Sequence, residues 1–347
     1  MSSQLYIGNG QATPSIVVEK PVPVTMPYSI LKSIDSNGKA INDSYLMNFG
    51  AFTDIGPYVF AYAYCQNTNI AGAIDLSSLE KISGQYGCYY MFKGCTGLTS
   101  VDLSALKTVS NNGCYYMFDG CTGLTGLIDL SSLITVTNSY SCYGMFSNCT
   151  GITGVNLSAL TTIGSTSSFL LSSSSSQCGN MFYGCTGITG ALDLSSLTIV
   201  KGTNSCSNMF GQCSNITSVD LSGLTSITKT SSSAMANREQ YTCGSMFIGC
   251  TSLKNIDLSS LSKIDVKQAC NYMFQNCTSL TTLSFPALKS NSFGSYTDQF
   301  DGMLDYDTGV TVHFPSNLQS VIGSWASVQN GFGGTNTTVL FDLPATE

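Results

Sequence analysis

The chain repeats itself, and repetition limits what it can fold into more than any other feature of the sequence. One unit, Cys-x2-Met-Phe-x2-Cys-Thr-x-Leu-Thr-x-x-Asp-Leu-Ser-x-Leu, recurs with small insertions after the second Thr. Seven copies carry both cysteines: Cys88/Cys95, Cys114/Cys121, Cys142/Cys149, Cys178/Cys185, Cys206/Cys213, Cys243/Cys250 and Cys270/Cys277. A Met-Phe pair lies three residues after each first Cys, as at Met91-Phe92, Met117-Phe118 and Met273-Phe274. A unit this small cannot bury its own apolar stripe, so successive units must stack. The 347 residues therefore form one array, where length alone suggests two or so compact domains.

Each unit divides into two kinds of local structure. In Leu98-Thr99-Ser100-Val101-Asp102-Leu103-Ser104, apolar and polar residues alternate from Val101 on, which is the pattern of a half-buried strand. Val101 and Leu103 point inward; Ser100, Asp102 and Ser104 point outward. The Cys, Met, Phe and second Cys recur at spacings of three, four and seven, as on one face of a helix or a helical turn. That stripe packs behind the strand.

The cysteines form a core of small, soft side chains rather than a metal or disulfide framework. Cys-x6-Cys is not a zinc spacing, and His313 is the only histidine. Seven helical residues advance the chain by about 10.5 Å, beyond the roughly 7 Å between Cα atoms that a disulfide tolerates. The two thiols of one unit therefore do not bridge. Those of adjacent units come within reach of each other, but a Cys-Met-Phe stripe reads most simply as buried free thiols.

Two degenerate copies flank the regular ones: Tyr58, Tyr62 and Cys65 fill the register at the start, and Tyr296, Phe300 and Met303 at the end. The expected division is an N-terminal attachment or cap region over 1–57, a solenoid of about nine repeats over 58–303, and a C-terminal cap over 304–347. Trp325 reads as packing within that cap. Excess length is concentrated in two connectors, 161–177 and 225–242, the second of which carries Arg238.

This pattern, seen well in "MFKGCTGLTSVDLSAL" and "MFIGCTSLKNIDLSSL", resembles the BspA-type, or treponemal-type, leucine-rich repeat over about residues 58–315. The resemblance implies an α/β repeat: a leucine-rich-repeat solenoid with a parallel β-sheet on one face, helical or turn segments on the other, and caps at both ends.

The strand face carries a column of polar residues, Asp75, Asp102, Asp129, Asn156, Asp193, Asp220 and Asp257. Stacking sets them about 4.8 Å apart, where like charges repel. One reading is a binding ladder for Ca²⁺ or for a cationic or sugar ligand. The other is structural. A Ser follows each of them two positions on (Ser77, Ser104, Ser131, Ser158, Ser195, Ser222 and Ser259), and such pairs bond the backbone that turns out of a strand. At the end of the column Ser284 and His313 replace the Asp, and Pro286 and Pro315 replace the Ser. Proline after the strand stops its pairing.

Function follows from what is missing as much as from what repeats. The sequence holds no Gly-x-Ser-x-Gly, no phosphate-binding loop with Lys, and no carboxylate pair outside the repeat, so no enzyme is expected. Net charge is −7 and no Lys/Arg run exists, which disfavours nucleic-acid partners. No apolar run approaches the roughly 20 residues that span a bilayer, and the opening residues lack a signal peptide. Only 10% of residues are charged, so Ser, Thr, Asn, Gly and Tyr cover most of the surface, which suits extracellular contact.

The expectation is a non-enzymatic binding or adhesion protein that contacts a protein or glycan on a cell surface. Its contacts lie on the strand face or on the two long connectors. The opening "LYIGNGQATPSIVV" and the ending "FGGTNTTVLFDLPATE" resemble tail-associated repeat proteins of gut bacteriophages. That resemblance implies a virion location, receptor binding, and attachment to other particle subunits through the N-terminal region. The alternatives are a bacterial cell-surface adhesin and a purely structural particle or filament component.

Overall fold

A computed structural model describes residues 49–50, 52–164, 176–229, 241–294 and 296–346. Most of the N-terminal region, most of both long connectors, and Arg238 lie outside the described residues.

Each turn of the chain lays down two short strands, and the long apolar-polar alternation supplies the first. In order these are β1 (Ala71–Asp75), β2 (Lys81–Ile82), β3 (Gly97–Asp102), β4 (Thr108–Val109), β5 (Gly126–Asp129) and β6 (Thr135–Val136). They continue with β7 (Ile152–Asn156), β8 (Thr162–Ile163), β9 (Gly190–Asp193), β10 (Ile199–Lys201), β11 (Ile216–Asp220) and β12 (Ser226–Thr228). The last are β13 (Asn255–Asp257), β14 (Lys263–Ile264), β15 (Thr282–Ser284), β16 (Thr311–Pro315) and β17 (Thr338–Leu343). All pairing between them is parallel, and odd strands pair with odd and even with even until the C-terminal end. The result is a solenoid of about nine turns with two columns of strands.

Register places like residues side by side: Asp75 beside Asp102, Asp129 beside Asn156, and Asp193 and Asp257 on either side of Asp220. Val101 and Leu103 point into the core, whereas Ser100 and Asp102 are exposed. The pairing register shifts between Gly72 and Ala73 and between Gly126 and Leu127. Both glycines have positive φ, +97° and +81°, a backbone region that glycine enters without strain.

The third side of each turn is where helix and turn were both open, and the structure has turns. The stretch from Tyr86 to Cys95 contains no α-helix; its backbone bonds alternate between two destinations. Tyr89, Met91, Lys93 and Cys95 donate N–H to the carbonyl three residues back, closing consecutive β-turns. Cys88, Tyr90, Phe92 and Gly94 instead donate to Gly113, Tyr115, Met117 and Asp119 in the next repeat. Every fourth residue, here Tyr86, Tyr90 and Gly94, takes positive φ. A helix would keep all these bonds within the segment. Turns release half of them to join neighbouring repeats, which satisfies the backbone and staples the stack together.

The Cys-Met-Phe stripe faces inward and is fully buried in all seven regular repeats. Phe92, Phe118, Phe146, Phe182, Phe210, Phe247 and Phe274 form a continuous column with centroids 5.2–5.9 Å apart and planes within 11° of parallel. Tyr64 begins the column, stacked on Phe92 at 5.3 Å. Offset stacking at this spacing adds about 0.5–1.5 kcal/mol per pair beyond the area buried.

The end units keep this architecture in a register two or more residues away from the expected one. Backbone pairing aligns Phe60, Ala63, Tyr64 and Asn67 with Cys88, Met91, Phe92 and Cys95. Tyr58 is 44% exposed and aligns with Tyr86 on the turn surface, and Cys65 aligns with Lys93. Burial decides this: Phe60 fills the core, and a Tyr58 at that position would leave Phe60 in water. At the other end Phe300, Met303, Leu304 and Asp307 align with Cys270, Met273, Phe274 and Cys277, so Tyr296 is not a core position. Beyond them β16 and β17 extend the parallel sheet, with the short helices α1 (Gln319–Ile322) and α2 (Ala326–Gln329) between. Trp325 packs edge-on against Phe293 at 5.0 Å.

Candidate functional site

Two faces carry the polar side chains that could meet a partner, and they are built differently. On the strand face, each Asp of the column turns its carboxylate back onto its own chain. The Ser77 N–H donates to Asp75 Oδ1 at 3.0 Å, and the Ser104, Ser131, Ser195, Ser222 and Ser259 N–H groups do the same to Asp102, Asp129, Asp193, Asp220 and Asp257. Asn156 accepts from Ser158, and its Nδ2 donates to Asp129 Oδ1 at 3.0 Å, relieving one like-charge contact. Hydroxyls of Ser77, Ser104 and Ser195 add a second bond to the same oxygen. The side-chain bond from Ser77, then its backbone N–H, hold the Asp75 carboxyl below the usual carboxylate range, and Ser195 acts likewise on Asp193.

The column is therefore a row of turn-forming side chains, each with one oxygen engaged. Among the described residues no group of three or more His, Cys, Asp or Glu is arranged to hold a metal ion. A trough on this face runs past Asp193, Asp220 and Asp257 to Ser284 and Pro286. His313, which extends the column, bonds Asp342 of the last strand through Nδ1 at 2.9 Å.

The turn face presents tyrosines, which sequence reasoning passed over. Because every repeat sets side chains at the same turn positions, Tyr62, Tyr90 and Tyr116 stack in one column at 5.3 and 5.6 Å. Tyr89, Tyr115 and Tyr143 stack in a second at 4.9 and 5.3 Å. Lys93 sits over Tyr90 and Tyr116, 4.9 and 5.0 Å from their centroids, and forms a 2.8 Å ion pair with Asp119. Burial, then the neighbouring Tyr90 and Tyr143, push the Tyr115 phenol up to about 12, so it remains a neutral hydrogen-bond donor. The signal in the sequence was the repeated Tyr-Tyr before Met-Phe, at Tyr89-Tyr90 and Tyr115-Tyr116.

The cysteines offer no chemistry to solvent. All fifteen are free and buried, and burial pushes the thiols of Cys88 and Cys95 upward, away from the reactive thiolate. At the second position of each repeat, Sγ–H donates to the carbonyl of the Phe-position residue one repeat earlier. Cys95 reaches Tyr64, Cys121 reaches Phe92 and Cys149 reaches Phe118, each at 3.0 Å.

A stack of parallel turns with a Cys-Met-Phe core and Asp-Ser strand ends defines a leucine-rich-repeat protein. The chain belongs to the BspA type leucine rich repeat region family, which matches in six copies over residues 53–189 and 228–325, more than half of the chain. Among solved structures it is similar to a leucine rich cell surface protein from Faecalibacterium prausnitzii A2-165, with 15% identity, 82% of this chain and 83% of that chain covered, and a TM-score of 0.25. It is also similar to a leucine-rich repeat protein from Bacteroides ovatus ATCC 8483, with 14% identity, 83% and 88% covered, and a TM-score of 0.19. No protein of curated function matches it. No helix among the described residues is long and apolar enough to cross a membrane.

Proposed function

We propose that this chain is a non-enzymatic adhesin, a solenoid displayed outside a cell or particle that binds a component of a cell surface. The observation that carries the reading is the contrast between a core locked repeat by repeat and two long outer faces whose polar side chains are fixed in register. Carboxylates tied to Ser77 through Ser259 and stacked phenols present a preformed pattern, and a partner that meets a preformed surface gives up little freedom of that surface on binding. Buried thiols and a histidine held by Asp342 supply neither nucleophile nor free base. The polar column, Asp75 through Asp257, belongs to this proposal as one contact face, together with Arg238 and the two connectors.

Membership of the family favours a binding role over catalysis. The bacteriophage-tail location rests on the two ends of the sequence alone, and the adhesin reading does not depend on it. Fluorescently labelled chain incubated with bacterial cells should bind saturably and be displaced by unlabelled chain. Retention no greater than that of an unrelated acidic protein would overturn the proposal and favour the purely structural role.

A further inference from the structure

We infer that the turn face carries a binding site for a neutral oligosaccharide, at a notch where the tyrosine columns are interrupted; this rests on the adhesin reading and deepens it. The notch opens where one column passes from tyrosine to Gly144, Asn180, Asn208 and Ser245. In the column of Tyr62, Tyr90 and Tyr116 the next repeat supplies Gly144, and the residue aligned with Lys93 and Asp119 in that same repeat is the small Ser147. One repeat further on, Tyr183 follows Ser147 in its column. The depression at this place is lined by Tyr116, Ser147 and Tyr183, together with Tyr90 and Tyr115. Tyr116 leans over the glycine: a Cβ on Gly144 would meet its ring at 2.4 Å. The ring of Tyr183 rests against Gly211 in the following repeat, where a Cβ would lie 2.9 Å away.

The chemistry of the walls selects the ligand. Around the rings stand the amides of Asn148, Asn180 and Asn208, each able to donate and accept. Asn180 Nδ2 already bonds the Tyr143 hydroxyl at 2.6 Å, which fixes its orientation. The two charges present neutralise each other, with both carboxylate oxygens of Asp119 engaged: Oδ2 by Lys93 at 2.8 Å and Oδ1 by Asn148 at 3.2 Å. Among the described residues no Leu, Ile, Val, Met or Phe lines the depression.

A protein partner would insert an apolar anchor and needs an apolar pocket to receive it, which this site lacks. An anionic or cationic ligand would need unpaired charge of the opposite sign. A sugar ring matches what is present: its C–H face lies on a tyrosine ring and its hydroxyls pair with amides and phenols.

The test uses the full chain on an array of neutral hexose and N-acetylhexosamine oligosaccharides, with sulfated and sialylated oligosaccharides alongside. Attachment to whole bacterial cells is measured in parallel. The wild-type chain should retain neutral oligosaccharides in preference to charged ones. Tyr183→Ala should weaken that retention at least tenfold. Ser147→Tyr leaves the tyrosines and asparagines of the depression in place and puts a bulky side chain into it; it should abolish retention in protein whose thermal unfolding shows that it is folded. Neutral oligosaccharides retained equally by Ser147→Tyr, or none retained by the wild-type chain, would overturn the site. Cell attachment that persists in that case leaves the adhesin reading standing, and cell attachment that is also absent removes both.

Discussion

The second cysteine position of the regular repeats and the same position at the C-terminal end face one environment with opposite chemistry. In the middle of the stack, Cys213 and Cys185 are fully buried, small, and each donates Sγ–H to a carbonyl one repeat back, at 3.1 and 3.0 Å. At the end, Asp307 stands in that position, also fully buried, and neither of its carboxylate oxygens has a hydrogen-bond partner. Burial, offset only in part by the nearby Cys277 N–H, pushes its carboxyl up to about 7. At the N-terminal end Asn67 holds the position with its side-chain oxygen accepting the Asn69 N–H at 3.1 Å. The column thus tolerates any side chain that satisfies itself, and the thiol does so at least cost because it is nearly apolar and still donates. Asp307 is the one residue of the column at odds with its surroundings.

Transplanting that conflict is the strongest way to break the comparison. Cys213→Asp places a carboxyl where a neighbour lies on both sides, with no partner and no route to water. The expected loss is about 4 kcal/mol or more at pH 8, enough to unfold much of the chain, measured by chemical denaturation. Acidification should recover part of it. A Cys213 variant as stable as wild type at pH 8 would show that the column is wet, contrary to its burial.

The reverse exchange should stabilise. Asp307 has a folded-state value near 7 against 3.8 in the unfolded chain, so the folded form holds its proton more tightly. The contribution of Asp307 to stability is therefore most favourable below about pH 4, falls as pH rises from 4 to 7, and is flat above. Asp307→Asn removes the penalty and should raise stability by about 1–3 kcal/mol at pH 8 with little change at pH 4. Thermal midpoints of both proteins across that range check it. Parallel curves would mean that the Asp307 carboxyl reaches solvent.

The regular repeats were legible because their inward positions hold the same residues seven times over, and parallel stacking turns such identity into a column. The turn stretch was not, because spacings of three, four and seven serve a helix and a run of β-turns equally well. The distinguishing residues were there: Gly94, Gly120, Asn148, Gly184, Gly249 and Asn276 occupy one positive-φ position, and glycine and asparagine are the residues that enter it with least strain. The end units were misread through Cys65, which lies seven residues after Tyr58 as the consensus requires. A pattern of spacings cannot show that Phe60 and Tyr64 bury more apolar surface two residues out of step. The tyrosine face escaped notice for a related reason, since its columns run between repeats and only the strand pairing shows which tyrosines meet. The Asp-Ser pairs were legible from residue type alone, because the bond spans two residues and needs no tertiary neighbour.

That last point gives the smallest and sharpest contrast with Asp307. Asp193 is an exposed carboxyl held below its usual range by the Ser195 hydroxyl first and the Ser195 N–H second. Its contribution to stability is present at neutral pH and is lost as pH falls through the folded value, the opposite direction to Asp307. Ser195→Ala removes the hydroxyl and leaves the N–H. The Asp193 titration, followed by NMR of the carboxyl carbon, should move upward toward the ordinary carboxylate value, while stability changes by less than about 0.5 kcal/mol because the site is solvated. A loss well above that would mean the Asp-Ser turn holds the strand ends in register, and that the column is part of the scaffold instead of a surface free to meet a partner.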